Sequence, residues 1–187
     1  MTRTTLLRFL LGLFLLALTA CGGKALGSET AGRSIQTEYG YNVRVIPAGE
    51  RRTGPSFGGG TLDGARLSSA SYRGSVVVVN FWASDCGPCR KEEPILESVW
   101  KKYQGRAVVF VGIDTDRSNV NGKAFVKEFG VTYPSIFDPY FEIAYKFHVS
   151  FLPATYVLDP QGRIAAIIFG AAAHEKQLVG LLDKELA

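Results

Sequence analysis

Phe81-Trp82-Ala83-Ser84-Asp85-Cys86-Gly87-Pro88-Cys89 is the stretch on which the fold turns. A run of valines, Val76 to Val79, leads into it, and apolar Ile95, Leu96, Val99, Trp100 and Tyr103 follow at helical spacing. The two cysteines therefore fall where a buried strand ends and a helix begins. The first amides of a helix point outward unpaired and carry partial positive charge. A thiol placed there ionises more easily, and the thiolate is the form that attacks disulfides. A Cys-x-x-Cys pair at such a junction suits dithiol–disulfide exchange.

Other uses of the pair fit less well. A zinc site needs further ligands, and the only histidines, His148 and His174, are isolated and distant. Haem attachment needs a histidine after the second cysteine, where Arg90 stands. A disulfide closing so short a loop would restrict the unfolded chain by only about 2 kcal/mol on the chain-entropy model. Gly58-Gly59-Gly60 lacks the Gly-Lys-Ser/Thr ending of a phosphate loop. No metal or cofactor is expected.

Working outward, the chain reads as an α/β domain. Phe57 to Leu67 forms a hairpin turning at Asp63-Gly64. Val76 to Trp82 is apolar without alternation, as in a central strand covered on both faces. A helix from Pro88 to Tyr103 carries Pro94 inside it, and Ala107 to Ile113 forms a second buried strand in a right-handed parallel unit. An amphipathic helix runs from Ser118 to Phe129 and stops at Gly130. Residues 133–148 add a short strand and a helix. Thr155 to Leu158 and Ile164 to Phe169 flank the turn signal Asp159-Pro160-Gln161-Gly162, and a last helix spans His174 to Leu186. Gly87 and Pro88 shape the turn between the cysteines, and proline suits the first helical turn. Trp82 either shields the pair or serves the core.

The N-terminus has another character. Arg3 and Arg8 precede an apolar run from Leu10 to Leu18, too short to span a bilayer comfortably. Residues 1–20 therefore read as a secretory signal. Residues 21–54 are rich in Gly, Ser, Thr and charge and read as a linker, although Tyr39 to Ile46 alternates partly and is a candidate short strand. The folded domain is expected over 55–187. Removing residues 1–20 takes away two of the 21 basic residues and no acid, so the formal balance falls from +4 to +2. That is too weak and unpatterned for nucleic-acid binding.

The motifs Pro55-Ser56-Phe57, Thr61-Leu62-Asp63-Gly64, Tyr72-Arg73-Gly74, Asn80-Phe81-Trp82-Ala83-Ser84, Cys86-Gly87-Pro88-Cys89, Glu92-x-Pro94 and Leu152-Pro153-Ala154-Thr155 together resemble the thioredoxin superfamily. The resemblance is stronger to the TlpA/ResA-like membrane-tethered thiol–disulfide oxidoreductases, and runs from about Pro55 to the C-terminus. It implies a thioredoxin-like fold: a central mixed sheet flanked by helices, with an N-terminal hairpin and a central strand–helix insertion over 133–148. It also implies that Cys86 attacks, Cys89 resolves, and Pro153 is a cis-proline that, with Leu152, holds an extended substrate backbone. Trp82, Gly87 and Pro88 would complete the substrate contact. Glu92 would exchange a proton with the less exposed thiol. Asn80 stands where thioredoxin itself has a buried Asp, which shifts the acid–base burden toward Glu92. Asp85 replaces the aromatic residue of most relatives, and a carboxylate beside Cys86 opposes thiolate formation. Leu18-Thr19-Ala20-Cys21 resembles the lipobox of bacterial lipoproteins, which implies cleavage before Cys21, its acylation, and a lipid-anchored, extracytoplasmic protein. Lipidating Cys21 would leave Cys86 and Cys89 as a pair.

The function implied is reduction of exported cysteine proteins, apocytochrome c among them, by a monomer recharged from a transmembrane thiol electron donor. A disulfide-forming oxidase and a redox-regulated binding protein without turnover remain as alternatives.

Overall fold

The computed structural model describes residue 40 and residues 42–187. In chain order the elements are β1 (Val43–Val45), β2 (Gly58–Gly60), β3 (Arg66–Ser68), β4 (Val76–Trp82), α1 (Gly87–Tyr103), β5 (Val108–Asp114), α2 (Asn119–Phe129), β6 (Ser135–Phe137), α3 (Glu142–Lys146), β7 (Ala154–Leu158), β8 (Ile164–Phe169) and α4 (Glu175–Leu186). Six strands form a mixed sheet in the order β1-β8-β7-β4-β5-β6, and β2 and β3 pair as a separate hairpin. β4 runs parallel to β5 and antiparallel to β7, so the valine run is interior to the sheet.

The unalternating sequence of β4 follows from its surroundings. Val76 and Val78 pack with Leu96, Val99 and Tyr103 of α1 and with Leu178, Leu181 and Leu182 of α4. Val77, Val79 and Phe81 pack on the other face with Phe57, Ile136, Phe147 and Tyr156. Burial of each such side chain is worth roughly 1.5–3 kcal/mol, which anchors this strand against both layers. Asn80 has the parity of Val76 and Val78, so strand geometry turns a polar group toward α1. That parity sets up the site described below.

The expected insertion is present as β6 and α3. The Asp138 carboxylate accepts from the N–H groups of Glu142, Ile143 and Ala144 at 2.9–3.1 Å, satisfying the first turn of this short helix. The triple glycine is β2. A Cβ at Gly59 would lie 2.9 Å from Ile136 Cγ2, so the missing side chain lets the hairpin approach the sheet.

Residues 43–54, assigned to the linker in the sequence reading, pack on the domain. Val43–Val45 pairs antiparallel with β8, and Thr53 bridges to Arg163. The Arg51 guanidinium grips Glu185 at 2.6 and 2.7 Å and Asp159 at 3.2 Å. A three-residue strand is too short to display a period, and its partners lie more than a hundred residues away. The signal segment 1–20, Cys21 and residues 22–39 lie outside the described residues. Among the described residues, no helix is long and apolar enough to cross a membrane.

Candidate active site

β4 ends at Trp82, and a tight turn with Cys86 N donating to Ala83 O at 3.2 Å delivers the chain to α1. Cys86 is the N-cap of that helix, and its Sγ accepts from Cys89 N–H at 3.2 Å. This is the helix-start placement read from the sequence, with Pro88 in the first turn. Cys86 and Cys89 are joined by a disulfide. Cys86 is half-buried, whereas Cys89 is 1 % exposed, so a partner disulfide can reach only the first sulfur. Gly87 and Pro88 are exposed at the tip.

A small apolar cluster walls the pair: Leu62, Trp82, Cys89 and Phe125 are buried, with Cys86, Phe129 and Leu152 against them. Trp82 is 1 % exposed and stacks on Phe125 with centroids 4.3 Å apart, so it supports the site from the core side. Leu152–Pro153 is a cis bond. Pro153 is buried, its carbonyl accepts from Gly170 N–H at 3.0 Å, and its neighbour Leu152 joins the cluster that contains both cysteines. Phe151 and Phe169 stand exposed beside this loop, with centroids 6.4 Å apart.

Glu92 lies one turn beyond Cys89 and is likewise 1 % exposed. Its carboxylate accepts from Asn80 Nδ2 at 2.8 Å and from Ala172 N–H at 2.7 Å. Asn80 Nδ2 also donates to Thr155 Oγ1 at 3.0 Å, tying the acid to β7. Burial pushes the Glu92 carboxyl up to about 7, against the lowering effect of those two donors. An acid poised near neutrality suits proton exchange. Asn80 thus meets the carboxylate of Glu92 directly.

Several groups escaped the sequence reading. Glu93 is buried, both of its oxygens accept from Tyr133 OH at 2.7 and 2.8 Å, and burial pushes it up to about 8. Glu97 accepts from the Thr132 N–H and hydroxyl at 2.9 and 2.7 Å. The signal was an acid within the stripe formed by Cys89, Leu96, Val99 and Tyr103. Asp114 ends β5 fully buried, and burial, reinforced by nearby Asp116, pushes its carboxyl up. Its Oδ2 has no hydrogen-bond partner among the described residues and faces Gly122, where any Cβ would collide with it. Arg90 donates to Ser84 O at 3.2 Å, pairs with Glu128, and lies 5.0 Å from the Phe129 centroid. Asp85 is exposed, where solvent screens its charge. His148 and His174 are exposed as well. Among the described residues no cluster of His, Cys, Asp and Glu has the arrangement of a metal site.

The AhpC/TSA family profile matches residues 51–167. The thiol-disulfide oxidoreductase ResA of Bacillus thuringiensis (strain Al Hakam) is 31% identical over 130 residues, covering 70% of this chain and 75% of that protein. ResA of Geobacillus thermodenitrificans is 30% identical over 144 residues, covering 77% and 82%. Among solved structures, a DsbF homologue from Corynebacterium diphtheriae superposes with a TM-score of 0.71 at 31% identity, covering 87% of this chain and 97% of that one. A secreted thiol-disulfide isomerase from Corynebacterium glutamicum superposes with a TM-score of 0.69 at 27% identity, covering 78% and 92%.

Proposed function

This chain belongs to the AhpC/TSA family of thioredoxin-like proteins and is a thiol–disulfide oxidoreductase, and we propose that it works outside the cytoplasm as a reductase with Cys86 and Cys89 as its redox couple. The observation that carries this reading is the asymmetry of the pair. Cys86 caps α1 at the surface, and Cys89 lies buried one turn behind it.

In the reducing direction the Cys86 thiolate attacks one sulfur of a client disulfide. A mixed disulfide forms, and the client's other sulfur leaves as a thiolate that takes up a proton. Cys89 then loses its proton to Glu92 and attacks Cys86 Sγ. The client's second sulfur leaves, and the Cys86–Cys89 disulfide forms. Two electrons have passed to the client, and a membrane thiol donor returns them by the same exchange in reverse. Leu152 and Pro153 hold the client backbone, with Gly87 and Pro88 completing the contact surface; Trp82, expected to touch the client, is buried and supports the pair from the core side instead.

The clients are exported cysteine proteins, apocytochrome c among them, and the protein is a monomer anchored through acylated Cys21. The resemblance to ResA-like proteins and the Leu-Thr-Ala-Cys junction support these assignments. Insulin reduction tests the chemistry: Cys86→Ser abolishes turnover, and Cys89→Ser accumulates mixed disulfides whose partners are identified by mass spectrometry. Full turnover by Cys86→Ser refutes the assignment. An unmodified Cys21 peptide from membrane-extracted protein refutes the anchor.

A further inference from the structure

Ser84 lies two residues before Cys86, and its three polar groups are all engaged. Its N–H donates to Asp116 Oδ2 at 3.1 Å and its hydroxyl to Asp116 Oδ1 at 3.0 Å. Its carbonyl accepts from Arg90 Nη1 at 3.2 Å. With Cys86 N–H bonded to Ala83 O, Ser84 and Asp85 are the two central residues of the turn that presents Cys86. The gripping carboxylate is itself fixed: Asp116 is buried, and its N–H donates to Asp114 Oδ1 at 3.0 Å. Arg90 is held from the other side by Glu128 and the Phe129 ring. The segment after β5, α1 and α2 thus converge on a residue with no reactive atom of its own.

We infer that Ser84 and Asp116 are positioning residues for the attacking thiol. Their two-point grip fixes the Ala83–Cys86 turn so that Cys86 Sγ stays within hydrogen-bond reach of Cys89 N–H. That contact spans 3.2 Å in the disulfide form, and a thiolate at the same place is a stronger acceptor. Loosening the turn weakens the contact and disfavours the thiolate. The elements that meet at this turn carry charged Asp85, Arg90, Lys91, Glu92 and Glu93 on the segment of Cys86, Asp114 at the end of β5, Asp116 just beyond it, and Glu128 on α2. Ser84 is neutral, so Ser84→Ala changes the grip and none of these charges. It is half-buried, so losing one oxygen opens no core cavity. The inference rests on Cys86 as the attacking thiol.

The test follows alkylation of the Cys86 peptide against pH by mass spectrometry, in reduced full-length protein, with the redox potential measured on the same variants. Ser84→Ala is expected to raise the Cys86 thiolate pKa by about half a unit, which slows alkylation about threefold below that pKa. It is also expected to make the protein more reducing, because a disfavoured thiolate disfavours the reduced form. Ser84→Thr keeps a hydroxyl and restores parental values. Asp116→Asn keeps two polar atoms for the grip and loses a negative charge, so it does not raise the pKa. A lowered melting temperature in Ser84→Ala with unchanged pKa and potential overturns the inference, as does failure of Ser84→Thr to restore them or a raised pKa in Asp116→Asn. Cys86→Ser separates the two levels: if it stays active, the assignment of the attacking thiol fails. If it is inactive while Ser84→Ala titrates like the parent, only the positioning role fails.

Discussion

Glu92→Gln makes the protein's stability less sensitive to pH, and the size of the change follows from the site. The carboxyl ionises at about 7 in the fold, against an ordinary value of 4.5, because burial outweighs the donors Asn80 and Ala172. Between those two values the folded state keeps a proton that the unfolded chain has released. Stability from this group is therefore full below the unfolded value, falls as pH rises toward the folded value, and is flat above it. At about 1.4 kcal/mol per pKa unit, the loss from pH 5 to pH 8 is roughly 2–3 kcal/mol. Glutamine has no proton to lose. Its amide fits if the Asn80 side chain turns over: Asn80 Oδ1, which has no partner among the described residues, then accepts from the new amide, and the Thr155 hydroxyl donates to it. That rearrangement costs about 1 kcal/mol at every pH. The variant should be slightly weaker than the parent at pH 5 and stronger at pH 8. Urea denaturation of both disulfide forms at several pH values measures the difference. A parent-minus-variant gap that is the same at pH 5 and pH 8 refutes the reasoning, because it would mean that Glu92 carries the same charge throughout. In the catalytic cycle proposed above, the same substitution slows resolution by Cys89 and removes an inflection near pH 7, with little effect on Cys86.

Two further outcomes follow. Arg51→Ala, which strands Glu185 and leaves Asp159 with Arg163 as its remaining cation, should destabilise the domain by about 2–4 kcal/mol in urea denaturation and leave insulin reduction by the folded protein unchanged. Asp85→Asn should lower the Cys86 thiolate pKa by only a few tenths of a unit, because an exposed carboxylate is screened, and should make the protein correspondingly slightly more oxidising. Alkylation rate against pH measures the shift, and a full unit would mean that Asp85 acts on the sulfur directly.

What the sequence disclosed depended on how local each interaction is. The Val76–Val79 run, the Asp63-Gly64 turn and the Ser118…Gly130 helix boundaries each carry their signal within a few residues, and each reappears in the fold. The cysteine pair was legible for the same reason, since capping, turn and proline all lie within four positions. Val43–Val45 hardly stands out from the linker in sequence because its reason for existing is the edge of β8, far along the chain. The buried acids failed differently. Glu93 and Glu97 look like ordinary helix-surface glutamates until Tyr133 and Thr132 are brought against them. Asp116 looks like a loop residue until Ser84 is in its grasp. Periodicity reports which face is inside, and these acids are inside because remote donors make their burial tolerable.

The two sulfurs sit in contrasting electrostatic surroundings, and the contrast explains why one chain segment can serve both steps. Cys86 has the amide end of α1, with Arg90 and Lys91 in the first turns, and solvent on its open side. All of these favour a thiolate at the surface. Cys89 has Trp82, Phe125 and Leu62 around it, with the burial-raised carboxyls of Glu92 and Glu93 further along the same helix. An apolar wall and nearby acids both disfavour a second thiolate. These surroundings bias ionisation toward Cys86, which is what the proposed cycle requires of the attacking sulfur, with Cys89 a thiol until a base takes its proton. Among the described residues, Glu92 alone combines burial on the Cys89 side of α1, a value near neutrality and a link through Asn80 to the centre of the sheet. Glu93, with both oxygens engaged by Tyr133, is committed to the fold instead. In the proposed cycle, order of attack follows from where each sulfur sits relative to the start of one helix, and Glu92 is the group assigned to time the second step.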